Sequence, residues 1–380
     1  MRQPQVFTGR NPYDGQSLAV RVENGIIRAI EKGKEDDDTW LSAGFIDLQI
    51  NGYGGENVNA AGLESETVVS LAAKVVATGV TTFLPTLITS SEENLIAALR
   101  VIAAARRRNS LVAQVIPYVH VEGPSISPAH GFRGAHPEEH VRPPSLAEFA
   151  RWQEASGGLV GMVTLSPHFA ATEQYIAHVT ARGVHVSIGH TDASPEQIQK
   201  AVDAGARLST HLGNGTAATL PRHPNVIWTQ LAEDRLTATM IADGEHLPDH
   251  ILKAMVRAKG VDRSILVSDT VALEGTPPGI YETPIGGRVE LHASGRLSLA
   301  GTEYLAGAML PLKDGVARVA RVMGALGDAV KMATENPGRF VRGRGVLRVG
   351  ERADLVRFRA DDPDNKLHIK SVLVAGQQWE

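Results

Sequence analysis

The chain has 380 residues, 43% hydrophobic and 21% charged, which is enough apolar material for a large core and excludes an extended disordered protein. Its formal net charge of -4 comes without a long basic or acidic run, so no nucleic-acid partner is indicated. With no cysteine there is no disulfide framework and no thiolate metal site, and any transition metal must be held by His, Asp or Glu. The N-terminal MRQPQVFTGRNPYDG lacks the apolar core of a signal peptide, and no apolar stretch nears about 18 residues, so the chain reads as soluble, free of membrane contact, unexported and cytoplasmic.

The first apolar runs, QSLAVRV and GIIRAIEK, flank Glu23-Asn24-Gly25, a strong hairpin cue. Residues 1–42 therefore read as part of a small β domain. From 43 to 338, β-rich runs alternate with helical patterns, the signature of parallel βαβ units. Eight such runs occur: 43–50, 81–88, 114–123, 161–168, 185–192, 207–214, 237–246 and 264–270. Among the intervening helices, PEQIQKAVDAGA starts at a Ser-Pro cap, and the basic Arg106 to Arg108 end another, where cations complement the dipole. Eight units close a barrel, so the expected fold is an α/β (β/α)8 TIM-type barrel. Residues 275–305, rich in Gly and Pro, read as an insertion before the last long helix. Residues 339–380 read as strands again, joined by Gly and Asp/Pro/Asn turns, and complete a small β-sandwich domain built from both termini.

Catalytic groups of such barrels project from the C-terminal strand ends, and the rarer polar residues gather there. Gln49 and Asn51 end the first strand, His120 and Glu122 the third, His190 and Asp192 the fifth. His211 and Asn214 end the sixth, Asp243 and His246 the seventh, and Asp269 the eighth. One such histidine is unremarkable, whereas the set points to a centre. Glu122, His190 and His211 make a one-carboxylate, two-imidazole metal site with positions left open for water and substrate. Asp269 is placed to move a proton between water and a leaving amine. Gly52, Gly54 and Gly55 follow a strand but lack the spacing and the lysine of a nucleotide-binding loop.

The strings AGFIDLQINGYGG, HVEGP, GHTDA, THLGNG, IADGEH and SDT, with LAGAML, ATENPGRF and VLVAGQQW, resemble almost end to end the N-acetylglucosamine-6-phosphate deacetylases of the amidohydrolase superfamily. That resemblance implies hydrolysis of the acetamide of N-acetyl-D-glucosamine 6-phosphate. Most superfamily members carry His-x-His on the first strand and many a lysine on the fourth. This chain has Gln49-Ile50-Asn51, the remnant of a vestigial second metal site, and no lysine in GMVTLSPHF. A single Zn2+ or Fe2+ ion follows. By similarity, His136 stabilises the developing oxyanion. Ala135, Asn214, Gly215, Arg222, His246, Ala306 and Gly307 contact the substrate, with Arg222 and His246 at its phosphate. In several relatives the Arg222 loop reaches a neighbouring subunit, which implies a homodimer.

Gly213 to Thr216 and His223-Pro224-Asn225 depart from the usual pattern, so the pocket around the phosphate is expected to be reshaped. An unphosphorylated or epimeric N-acetyl amino sugar, or another N-acyl amine, is the rival substrate. A catalytically silent sugar-binding barrel is the rival of another class.

Overall fold

The computed structural model describes residues 4–34, 37–360 and 366–379. Eight parallel strands form one sheet in sequence order: Phe45–Ile50, Val80–Ile88, Val119–Glu122, Val160–Leu165, His185–Ile188, Leu208–Ser209, Thr237–Ile241 and Ser264–Val267. The last meets the first through a bridge between Ile50 and Thr270, reinforced where Asp269 N donates to Gln49 O (2.9 Å) and Asn51 N to Thr270 O (2.9 Å). The expected barrel is the fold observed.

Most of the strands end before their apolar runs do, and the third and sixth depart furthest from expectation. Ser110–Val115 is a helix whose N-terminus is capped by the Asn109 side chain accepting from Val112 N, so the third strand begins at Val119 rather than at Gln114. A short apolar run cannot by itself distinguish a buried helical turn from a strand. The sixth strand is regular only at Leu208–Ser209, because the chain turns inward at His211. Pro85 lies inside the second strand without an N–H for the ladder, and the pairing register there shifts between Asp47 and Ile50.

Apolar residues divide between two layers. One cluster, including Phe45, Leu71, Val76, Phe83, Leu99 and Ile176, packs the helices onto the outside of the barrel. Another is formed by Ile46, Leu48, Leu84, Met162, Leu208, Ile241, Ile265 and Val267, which come from six strands spread around the sheet and meet in the barrel interior. Helix signals hold where they were expected. Pro195–Ala204 starts in a capping box between Ser194 and Gln197, and Glu92–Arg108 ends on its three arginines.

The termini build a separate seven-stranded sheet, in which Trp40–Ala43 pairs with both Gln5–Arg10 and Leu355–Arg359. The sheet curls until Ile26 bridges Arg352, enclosing a small core of Val20, Val22, Ile27, Leu41, Leu355 and Leu373. Its hairpin turns at Asn24 and Gly25, both at positive φ (50° and 79°), as the Asn-Gly pair foretells. The Asp/Pro/Asn turn expected within 361–365 lies outside the described residues. The insertion folds as three antiparallel strands, Gly279–Thr283, Gly287–Leu291 and Leu297–Leu299. It leans over the C-terminal mouth of the barrel, where Gly286 N donates to Ala135 O (3.1 Å).

Candidate active site

Three site residues sit one to three positions past their strands, and all three are in left-handed backbone: His190 at φ 47°, His211 at 27° and Asp269 at 52°. For a residue with a Cβ this conformation costs about 1–2 kcal/mol. Tertiary bonds hold it. His211 N donates to Thr239 Oγ1 (2.7 Å), and Asp269 N to Gln49 O (2.9 Å). The turns swing the side chains over the mouth of the barrel instead of letting them continue up and down the sheet.

Glu122 is the hub. Its Oε1 lies 3.1 Å from His211 Nε2, 3.5 Å from His190 Nε2 and 3.1 Å from Gln49 Nε2, which donates to it. Its Oε2 lies 3.9 Å from His136 Nε2. The His190 ring stands edge-on to both neighbours, with centroids 4.3 Å from His136 and 4.9 Å from His211. Across the site, Asn51 Nδ2 donates to Asp269 Oδ1 (2.7 Å). Gln49 and Asn51 therefore bond the two carboxylates rather than each other.

The donor set fits a divalent cation. His190 Nδ1 is 2.9 Å from Phe132 O, which can only accept, so this nitrogen carries the proton and the Nε2 lone pair faces Glu122. A lone pair and a carboxylate oxygen 3.5 Å apart repel unless a cation lies between them. His211 Nδ1 is buried without a hydrogen-bond partner among the described residues. Glu122, His136 and His190 each offer a ligand atom within 4.8 Å of one another, so His136 stands within ligand range although it is farther from Glu122 than His190 or His211.

Burial opposes charge throughout the site, and contacts decide which group keeps it. Burial would raise the Glu122 carboxyl, but its close contacts with the His190 and His211 imidazoles outweigh it and hold the group well below the usual range. His211 is raised, because its bond to Glu122 overcomes its own desolvation. His136 is lowered to about 3 by burial and by the nearby His190. Asp269 is pushed up to about 6 by burial and by the Glu122 charge.

These groups open onto a cavity of roughly 470 Å³, within the range of small-molecule sites. Asn51, Glu122, Ala135, His136, His190, His211, Asn214, Gly215, His246, Asp269 and Gly307 all line it. Asn214 Nδ2 is buried there without a partner, and His246 is oriented by its Nδ1 contact with Asp243 Oδ2 (2.7 Å). Gly215, at φ 58°, lies so close to His190 that a Cβ would come within 2.9 Å of its ring. Two expected substrate contacts are elsewhere. Ala306 is buried in the core beneath the insertion. Arg222 is exposed on the loop before helix Val226–Ala232, does not line the cavity and forms no ion pair among the described residues. Among the strand-end residues, Asp192 is exposed beside His168 and does not line the cavity, and His120 lies beneath it, bonded to Leu48 O and Thr164.

Sequence reasoning missed Thr89 and Phe132, which orient His136 and His190, and the lining residues Ile285, Tyr304 and Leu305 from the insertion. None carries a signal of spacing or residue type, since each is defined by what the fold brings to it.

The sequence pattern of the Amidohydrolase family matches residues 40–378. N-acetylglucosamine-6-phosphate deacetylase of Bacillus subtilis (strain 168) is 34% identical, over 92% of this chain and 88% of its own length. N-acetylgalactosamine-6-phosphate deacetylase of Escherichia coli O157:H7 is 30% identical, over 99% and 98%. Among solved structures, a mutant of the Mycobacterium smegmatis N-acetyl-D-glucosamine-6-phosphate deacetylase in complex with N-acetyl-D-glucosamine 6-phosphate superposes with a TM-score of 0.87, at 27% identity over 99% of both chains.

Proposed function

The chain belongs to the amidohydrolase family, and from that premise we propose that it hydrolyses the acetamide of N-acetyl-D-glucosamine 6-phosphate, releasing glucosamine 6-phosphate and acetate. The observation that carries the reading is the convergence of Glu122 and its imidazoles on one cavity with Asp269 on the opposite side. Glu122, His190 and His211 hold one divalent ion, zinc or ferrous iron, which when bound supplies Lewis acidity toward the amide carbonyl and acidifies water. Gln49 and Asn51 stand where a second ion would need ligands, and their amide donors serve the two carboxylates instead.

Asp269 accepts the proton of the attacking water and returns it to the leaving nitrogen, with Asn51 holding Oδ1 and leaving Oδ2 for the transfer. His136 acts on the carbonyl oxygen. Its Nδ1 is 2.8 Å from Thr89 Oγ1, whereas the alternative acceptor for that hydroxyl, Glu122 O, is 3.5 Å away. The shorter contact favours Thr89 donating to Nδ1, which leaves Nε2–H as the oxyanion donor. This division of roles separates His136 from the ligands despite its proximity.

Asn214, Gly215 and His246 receive the phosphate, and Ala135 and Gly307 shape the wall for the sugar. Arg222 is the phosphate's further cation. Its solvent exposure agrees with a homodimer in which this loop crosses to the cavity of the partner subunit. A phosphorylated substrate is confined by its charge to one compartment, and we place the enzyme with it in the cytoplasm. A silent binding barrel has no use for a buried carboxyl such as Asp269 poised near neutrality.

The test compares specificity constants of zinc- and iron-reconstituted protein for N-acetylglucosamine 6-phosphate, N-acetylgalactosamine 6-phosphate and free N-acetylglucosamine, following released acetate. A preference for the first by at least about a hundredfold over the free sugar is expected from two charge-assisted phosphate contacts. Preference for the galactosamine ester, for which the Escherichia coli relative is named, moves the substrate to that epimer. Comparable rates with and without phosphate overturn the phosphate assignment and leave the deacetylation standing.

A further inference from the structure

Beneath the cavity, the barrel interior holds a file of buried polar side chains that the reaction does not use. His120 Nδ1 lies 3.2 Å from Leu48 O. A carbonyl only accepts, so this nitrogen carries the proton and Nε2 of the neutral ring must accept. Its partner is the Thr164 hydroxyl at 2.8 Å, which therefore donates. The remaining directions follow without choice. Thr210 donates to Thr164 (2.7 Å), and Ser187 donates to Thr210 (2.5 Å). The file crosses from the first strand through the third, fourth and sixth to the fifth.

The tie points adjoin the proposed ligands or a residue bonded to one. Leu48 precedes Gln49, whose amide bonds Glu122; His120 is two residues before Glu122; Thr210 immediately precedes His211. Gly189, next to His190, is seated on the same hydroxyls, since a Cβ there would come within 2.7 Å of Thr210 Cβ and 2.9 Å of Thr164 Cγ2. The backbone of every ligand is thus referenced to one hydrogen-bonded file, a layer deeper than the residues that orient the individual rings.

We infer that His120, Thr164, Thr210 and Ser187 are positioning residues that set the spacing of Glu122, His190 and His211 for a metal ion, with the Thr164 hydroxyl as the central link. The inference rests on the reading of those three residues as ligands. A Thr164→Val side chain keeps the shape and loses the donor to His120, whereas Thr164→Ser keeps the donor.

Zinc affinity is measured by competition with a chromophoric chelator, with the melting of the metal-free proteins as the control for folding. Thr164→Val is expected to weaken zinc binding by about 10- to 100-fold, the range for groups that support metal ligands, while Thr164→Ser binds as the wild type does. Should Thr164→Val fail to fold, Ser187→Ala, which removes only the terminal donor, is expected to weaken binding by less than about tenfold against an unchanged Thr164→Ser. Unaltered affinity in the folded Thr164→Val protein, or in Ser187→Ala when that variant stands in, overturns the inference and leaves the ligand assignment intact. A loss in Thr164→Ser as large as in Thr164→Val overturns it as well. A wild-type protein that binds no zinc and no iron overturns the ligand assignment itself, and the positioning role with it.

Discussion

His211 and Arg222 are eleven residues apart, and their surroundings could hardly differ more. His211 is 3% exposed, held in left-handed backbone by Thr239 and bonded to Glu122. Arg222 is exposed on a loop and does not line the cavity that its own chain builds. The groups proposed for bond breaking all come from one chain and are pinned from several strands. The group assigned to phosphate recognition is not. Chemistry requires preorganised groups that cannot relax during the reaction, whereas recognition of a charged handle tolerates a loop that orders when the ligand or a partner subunit arrives.

The largest expected effect tests the pinned half. Asp269→Asn, with metal content by elemental analysis unchanged, should lower kcat by about 10²- to 10⁴-fold; near-normal turnover removes Asp269 from proton transfer. Next come the imidazoles. His190→Ala and His211→Ala should lose the ion, whereas His136→Ala should keep it and lose about 10²- to 10³-fold in kcat. The opposite pattern, with His136→Ala metal-free and His211→Ala fully loaded, would exchange the roles of those two residues.

On the loop, Arg222→Gln should raise KM for the phosphorylated sugar and lower kcat/KM by about 10- to 150-fold with kcat little changed, the worth of one charge-assisted contact. An equal fall in kcat would place Arg222 among the reacting groups and erase the contrast. Sedimentation of the same protein reports whether the loop acts within a dimer. The smallest expected effect compares stabilities. Arg222→Gln should leave unfolding free energy within about 0.5 kcal/mol. Gly215→Ala, at a left-handed position against His190, should lose at least about 1 kcal/mol in chemical denaturation. Equal losses would mean that the loop is as firmly held as the centre.

Much of this arrangement was legible before any coordinates. Period and composition marked all eight barrel strands, and the polar residues placed at their ends included Glu122, His190, His211 and Asp269, which do share one cavity. The failures have physical causes. Gln114 and Val115 are helical because Asn109 supplies a cap that outweighs the β-rich composition downstream. The expected contact of Ala306 became core packing beneath the insertion. His120 has the same strand-end signature as Glu122 and, two residues earlier, points to the same face of the strand, but it sits a layer deeper, where Leu48 O and Thr164 take up both ring nitrogens.

The sequence by itself determined the barrel, the sheet formed by the termini, and the residue types able to hold a cation and move a proton, because those depend on periodicity and on chemistry carried by single side chains. Only the tertiary structure decided that Gln49 and Asn51 each serve a carboxylate, that His136 crowds the ligand set, and that Thr89, Phe132 and the insertion complete the site. These relations join residues tens to hundreds of positions apart, and no local pattern encodes a distance between groups that meet only when the barrel closes.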